Sequence, residues 1–367
     1  MAPIHGTCDD RFAKVADTLA GLLDGDDVGA SAAVYLDGEP VADIWGGYAD
    51  AARTRPWERD TITNVWSVTK TMTALCALIL ADRGDLDLTA PVARYWPEFA
   101  AAGKDGVTVA HLLSHTAGLP DWRPPLPAGE LYDWAAATAR LAAQAPMWPP
   151  GTQGAYHSLT QGYLVGEVVR RVTGLTLGTF FAQQVAGPLG ADFHIGLPAA
   201  HDHRVAPVIP PPDDPGQTGD PGDQTPMRAA DANTTPWRRA EIPAAGGHGN
   251  ARSVAAVQSI LACGGAARGV RLLSPAGCER ALEEQYHGPD PYLGGMPARY
   301  GLGYGLNDED LRMSPNPRTC FWGGWGGSLV VVDLQARMTV SFVMNRMLNG
   351  GDRAGDIVRA AYDGLTT

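Results

Sequence analysis

The stretch Thr61-Ile62-Thr63-Asn64-Val65-Trp66-Ser67-Val68-Thr69-Lys70-Thr71-Met72-Thr73-Ala74-Leu75-Cys76-Ala77-Leu78-Ile79-Leu80-Ala81-Asp82-Arg83-Gly84 runs an extended approach straight into an apolar helix pattern. Thr61 to Trp66 reads as extended, and Ser67 to Arg83 as a helix rich in good helix formers, stopped by Gly84. Positions three apart share a helix face, so the Lys70 amine lies one turn from the Ser67 hydroxyl. A serine hydroxyl is a poor nucleophile until a neighbour takes its proton, and a partly desolvated lysine with a lowered pKa does so. With 10 Ser and 3 Lys in 367 residues, chance supplies about 0.08 Ser-x-x-Lys pairs. Free N–H groups and the positive dipole end at the helix start favour an alkoxide-like Ser67. The plainer alternative makes Ser67 an N-cap and Lys70 a solvated residue of the first turn.

Outward from this helix, residues 9–25 form an amphipathic pattern. Ala30 to Leu36 and Val41 to Trp45 read as a hairpin around Asp37-Gly38. Near the other end, Ser328 to Val332 and Thr339 to Met344 are apolar strand patterns, and Asp352 to Leu365 a closing helix. Strands at both ends of the chain, separated by a helical middle, predict an α/β fold: one antiparallel sheet flanked by helices, plus a mostly helical domain. The division expected is 1–60 with 238–367 for the sheet domain and 61–237 for the helical one. The middle continues through Val109 to Ser114, Glu130 to Gln144 and Leu159 to Arg171, the last stopped by Thr173-Gly174. Prolines crowd residues 198–237 and deny the backbone both helix and sheet bonds, which predicts an irregular loop that covers a site in preference to linking two domains.

Composition narrows the function. Apolar residues make up 45% and charged residues 19%, which suits a folded enzyme-sized protein. The formal net charge is −12 with no basic run, so nucleic acid and anionic membrane are set aside as partners. The first residues lack a basic n-region and an apolar h-region, and no run reaches membrane-span length, so a cytoplasmic location is expected. Five scattered cysteines predict neither a disulfide framework nor a zinc site. His201-Asp202-His203, the one tight histidine cluster, opens the Pro-rich loop without a third ligand at metal spacing and reads as surface.

A nucleophilic Ser67 needs a second proton carrier and an oxyanion donor. Tyr156-His157-Ser158 lies between the turn Pro149-Pro150-Gly151 and the helix pattern from Leu159. A phenol there shuttles a proton if a cation lowers its pKa; otherwise Tyr156 packs at a helix entrance with Ser158 as N-cap. Phe321-Trp322-Gly323-Gly324-Trp325-Gly326-Gly327-Ser328 is a glycine-dense approach to a strand. It suits an N–H donor to an oxyanion or, equally, a tight turn at a sheet edge.

These segments together resemble the serine β-lactamase and penicillin-binding-protein superfamily, most closely its family VIII carboxylesterases and class C β-lactamase-like hydrolases. The likeness spans nearly the whole chain. It also takes in Asp43-Ile44-Trp45-Gly46-Gly47, His111-Leu112-Leu113-Ser114-His115-Thr116-Ala117-Gly118-Leu119-Pro120 and Gly247-His248-Gly249-Asn250-Ala251-Arg252. The resemblance implies a β-lactamase/transpeptidase-like fold with the site between two domains. It further implies Ser67 as acylated nucleophile, Lys70 and Tyr156 sharing base and acid duties, and the N–H groups of Ser67 and Trp325 as oxyanion hole. Ser158, Trp322, Gly323 and Gly324 would then contact substrate. Where the lactamases carry Lys-Thr-Gly this chain has Trp322-Gly323-Gly324, and Ser158 stands where they usually have Asn. Both departures point to neutral esters, and related esterases use Trp or His at the position of Trp322.

The expectation is therefore a serine carboxylesterase working through an acyl-enzyme on a small-molecule ester or other acyl donor, with no metal and no organic cofactor. An acyltransferase using the same acyl-enzyme is the nearest alternative, followed by a β-lactamase or D-amino-acid peptidase. A non-catalytic binding protein would have lost the groups that Ser67, Lys70 and Tyr156 supply. Oligomeric state is not legible.

Overall fold

Successive residues of Gly29–Leu36 point to opposite faces of a sheet, and both sets are apolar. Ala30, Ala32 and Val34 meet Phe12 of the 3-10 turn Asp10–Phe12, Val15 and Leu19 of the first helix (Ala13–Asp24) and Ile357 and Ala361 of the closing helix (Arg353–Thr366). Ala33 and Tyr35 face the opposite way, into the larger core shared with the helix Ala251–Ala262 and the helical body. A strand covered on both faces reads as a continuous apolar run, which is why this part of the sequence is easy to place. The computed structural model describes residues 1–127, 129–211 and 227–366.

Among the described residues the sheet has nine antiparallel strands. Their spatial order is Ile4–Cys8, Glu39–Gly47, Gly29–Leu36, Met338–Met344, Leu329–Asp333, Thr319–Gly323, Gly305–Leu306, Met296–Tyr300 and Tyr286–Asp290. The two chain ends meet where Gly29–Leu36 pairs with Met338–Met344, Ala33 opposite Ser341. The hairpin turn falls at Asp37-Gly38, both with positive φ (52° and 85°), as a primed turn requires. The two edge strands, Ile4–Cys8 and Tyr286–Asp290, and Met296–Tyr300 beside the latter carry no apolar alternation and do not stand out in the sequence.

The helical body holds the helices Thr69–Asp82, Trp134–Ala143 and Thr160–Thr173, the last ended by Gly174 in the left-handed conformation. A small sheet pairs Thr63–Asn64 and His194–Ile195 with Gly247–Gly249, clamping the segment before Ser67. Within the expected covering loop, Ala199–Arg204 is a 3-10 helix and Ile209 bridges Arg346. Residues 212–226, on which much of that expectation falls, lie outside the described residues. Asp202 is held by Arg238 and Arg239, and no metal-ligating group of His, Cys, Asp or Glu occurs among the described residues. No helix among them is long and apolar enough to cross a membrane.

Candidate active site

The helix that begins the site starts two residues later than its sequence pattern implies. A single 3-10 turn, Trp66–Val68, carries Ser67, and the α-helix proper begins at Thr69 with no side-chain cap. Ser67 is thus not an N-cap. The turn is enforced at Trp66, whose φ of 51° lies in the left-handed region that non-glycine residues enter only at a cost of about 1–2 kcal/mol. The surroundings hold it there. Val65 N–H donates to Gly247 O at 2.9 Å, and Thr69 Oγ1 donates to Trp66 O at 2.6 Å while accepting Gly247 N–H at 2.9 Å. The Trp66 ring packs edge-on between Trp237 and Trp325.

Lys70 is fully buried, so it is not the solvated first-turn residue of the plainer alternative. Its Nζ lies 3.2 Å from Ser67 Oγ, 2.9 Å from Tyr156 OH, 2.6 Å from Ser158 O and 3.0 Å from Ala244 O. Burial without a carboxylate partner disfavours the ammonium and holds its pKa well below the usual lysine range. The two carbonyls occupy two N–H bonds. A neutral amine has two N–H bonds and one lone pair, so that lone pair faces Ser67 Oγ and Tyr156 OH.

Tyr156 arrives from the loop before Thr160–Thr173, a helix whose start no side chain caps, so Ser158 is not its N-cap. The phenol OH lies 2.5 Å from Ser67 Oγ, and the ring receives Lys70 Nζ at 4.7 Å from its centroid. Desolvation pushes the phenol pKa up to about 12, against the opposing pull of hydrogen bonds from Ser67 and Trp322. The condition for a phenol that shuttles a proton through a lowered pKa is therefore not met: burial raises the Tyr156 pKa, and the phenol keeps its proton at neutral pH.

The glycine-dense segment is the end of the strand Thr319–Gly323 and the hairpin turn that leads to Leu329–Asp333. Gly324 N–H donates to Ser328 O at 2.6 Å and Gly327 N–H to Gly324 O at 3.0 Å. Gly324 permits a close approach, but to the chain itself: a Cβ there would stand 2.4 Å from Val65 O and 3.4 Å from Trp66 Cβ. That approach sets the turn against the segment carrying Ser67. Neither Ser67 N–H nor Trp325 N–H has a protein acceptor among the described residues. Gly323 is exposed, and a Cβ on it would meet only Ser328 O at 3.9 Å, leaving that side open to a ligand. Trp322 is buried against Tyr156 and His115, with ring centroids 5.9 and 5.2 Å away. Ser158 joins the site through its carbonyl.

Several residues of the site escape a reading of spacing. The carbonyls of Ser158 and Ala244 are backbone atoms, which carry no sequence signal. His115, buried with φ 60°, accepts His157 N–H on Nδ1 at 3.1 Å; its Nε2 has no hydrogen-bond partner among the described residues, and its ring packs among those of Tyr156, His157, Tyr300 and Trp322. Asp290 is buried, takes the Tyr300 hydroxyl at 2.6 Å and the N–H groups of Tyr292 and Leu293, and also receives the backbone N–H of Tyr156.

The sequence profile of the family described as Beta-lactamase matches residues 15–364. The chain is 36% identical over 375 residues to Esterase/beta-lactamase LipL of Mycobacterium tuberculosis, a match covering 94% of this chain and 84% of that protein. Among solved structures, a family VIII carboxylesterase superposes with a TM-score of 0.93 and 43% identity, covering 99% of this chain and 100% of that one. EstCE1, described as a hydrolase with promiscuous acyltransferase activity, superposes with a TM-score of 0.78 and 26% identity, covering 96% and 99%.

Proposed function

The chain belongs to the beta-lactamase family, and from that premise we propose that it is a serine hydrolase cleaving carboxylic esters through an acyl-enzyme on Ser67. The observation that carries the reading is the Lys70 amine, buried, without a carboxylate, and within reach of both Ser67 Oγ and Tyr156 OH. In the proposed reaction Ser67 Oγ attacks the ester carbonyl carbon and its proton passes to neutral Lys70. The N–H groups of Ser67 and Trp325 receive the developing oxyanion. As the C–O bond to the alcohol breaks, Tyr156 donates its proton to the departing oxygen and is reprotonated by the Lys70 ammonium 2.9 Å away. Water then attacks the acyl carbon, gives its proton to the same pair, and Ser67 leaves with a proton restored.

The neutral residues Trp322-Gly323-Gly324 on the strand beside the nucleophile favour an uncharged ester over a carboxylate-bearing β-lactam or peptide. Acyl transfer to an alcohol in place of water changes only the second half-reaction, and the likeness to EstCE1 favours keeping this as the second reading.

The test is hydrolysis of p-nitrophenyl acetate and butyrate beside a chromogenic cephalosporin, with wild type and Ser67→Ala. The expected outcome is ester turnover lost in Ser67→Ala and cephalosporin turnover far below it. Ester turnover that survives in Ser67→Ala would overturn the proposal. Partition of the acyl group between water and an added alcohol separates hydrolase from transferase.

A further inference from the structure

The turn that presents Trp325 is held from outside the pocket by a single buried cation. Arg353, at the start of the closing helix and 9% exposed, donates through Nη2 to Gly326 O at 2.6 Å. Both its terminal nitrogens also reach Arg346 O at 3.3 Å, and Nη1 binds the fully buried carboxylate of Asp27. We propose that Arg353, anchored by Asp27, is a positioning residue that sets the Trp325 N–H against Ser67 for oxyanion binding. The inference rests on the reading of Ser67 and Trp325 as the oxyanion hole.

The geometry explains why a brace is needed. Gly326 and Gly327 have φ of 86° and 127°, a backbone that side chains rarely adopt and that glycine holds only loosely on its own. A Cβ on Gly326 would stand 2.4 Å from Met347 Cγ, and one on Gly327 2.7 Å from Arg353 Nη2, so the turn lies flat against Met347 and the guanidinium. Gly326 O also accepts Leu348 N–H at 3.2 Å. The carbonyl of Gly326 is thereby taken by two donors, one of them charged, while the Trp325 N–H has no protein acceptor among the described residues. Arg353 joins three separate segments: Asp27 after the first helix, Arg346 to Leu348 after a central strand, and the Gly326 turn. Lysine has the charge but not the fork that reaches carboxylate and carbonyls together.

Arg353 touches no reacting atom, so its effect must appear in the transition state and not in substrate binding. The experiment compares wild type, Arg353→Lys, Arg353→Met, Asp27→Asn and Ser67→Ala on p-nitrophenyl butyrate. For the variants that keep Ser67, each rate is normalised to the sites titrated by a p-nitrophenyl phosphonate, and inhibition is measured with phenylboronic acid, whose tetrahedral serine adduct mimics the oxyanion; Ser67→Ala, which has no serine to titrate, is normalised to total protein. The expected result for the Arg353 and Asp27 variants is kcat per titrated site and boronate affinity falling together, about 10- to 100-fold, with KM within threefold. Arg353→Lys and Asp27→Asn, which keep the volume of the pair, should show the smaller losses and keep the protein folded if Arg353→Met does not. A merely structural role would reduce the number of titrated sites and leave both per-site quantities unchanged. That result, with Ser67→Ala inactive, would overturn the positioning role and leave the nucleophile reading intact. Turnover retained by Ser67→Ala would overturn both.

Discussion

Replacing Gly324 by alanine tests how tightly the hairpin turn is set against the nucleophile. A Cβ at this position would lie 2.4 Å from Val65 O, and real contacts of this kind essentially never fall under 3.0 Å, so the gap must open by at least about 0.6 Å. Gly324 is not among the positive-φ glycines, so the alanine backbone itself is unstrained and the whole effect comes from the displaced neighbour. Val65 O also accepts Val68 N–H at 3.3 Å across Ser67, so either the serine turn or the Trp325 turn moves, and the two N–H donors separate. A misplacement of about 1 Å costs roughly 100-fold in rate, so kcat should fall about 10- to 100-fold while KM moves less. Overpacking should also cost about 1–3 kcal/mol of stability. The assay is p-nitrophenyl butyrate hydrolysis per titrated site, with thermal unfolding in parallel. Gly21→Ala in the first helix is the control, because nothing lies within 4 Å of its added Cβ, and it should leave kcat within about threefold. The reasoning fails if Gly324→Ala keeps kcat within threefold, or if Gly21→Ala loses as much.

Four further outcomes follow from the structure. Tyr156→Phe removes a hydroxyl that contacts both Ser67 and Lys70 and should lower kcat by about 10²- to 10⁴-fold; a loss under tenfold would remove Tyr156 from proton transfer. Because burial lowers the pKa of Lys70 and raises that of Tyr156 to about 12, kcat/KM should climb as Lys70 loses its proton, with the midpoint well below the ordinary 10.5, and then stay level. The same climb should persist in Tyr156→Phe at a lower plateau, and a midpoint near 10.5 would contradict a desolvated lysine. His157 is held neutral, Nε2 accepting Leu119 N–H at 3.0 Å and Nδ1 against Ala155 O at 2.5 Å, and desolvation lowers its pKa to about 4. The unfolded chain takes up a proton near 6.5 that the folded chain refuses, so stability falls as pH drops from about 6.5 to about 4, by about 3 kcal/mol at 1.36 kcal/mol per pH unit. Urea unfolding across that range should show a shallower fall in His157→Gln than in wild type, and equal slopes would sink the assignment. Lys104, buried, donates to the carbonyls of Ala101, Ala142 and Gln144, two of them at the end of the helix Trp134–Ala143. Lys104→Met orphans all three and should cost about 3–5 kcal/mol in denaturant unfolding while the kcat of the folded fraction holds; a cost under 1 kcal/mol would mean that water satisfies them.

How much of this was legible in the sequence depends on whether the signal is local. Gly29–Leu36, Leu329–Asp333 and Met338–Met344 are central strands buried on both faces, and their apolar runs announce them. The edge strand Tyr286–Asp290 and its neighbour Met296–Tyr300 contain Pro289 and Pro297 and face solvent in part, so nothing in their composition separates them from loop. The glycines of the hairpin turn were conspicuous, yet the partner of the closest one, Val65 O, lies more than 250 residues earlier in the chain and could not be read from them.

The sequence by itself determined the pairing of Ser67 with Lys70, because helical periodicity acts over three residues and places both groups on one face whatever the rest of the chain does. Only the tertiary structure decided what that pair is. Tyr156 and Ser158 reach Lys70 from 86 and 88 residues away and Ala244 from 174, and no periodicity spans such distances. Their packing removes water from the amine, and that desolvation lowers the pKa of a lysine that would otherwise be an ordinary cation, as the proposed base role requires.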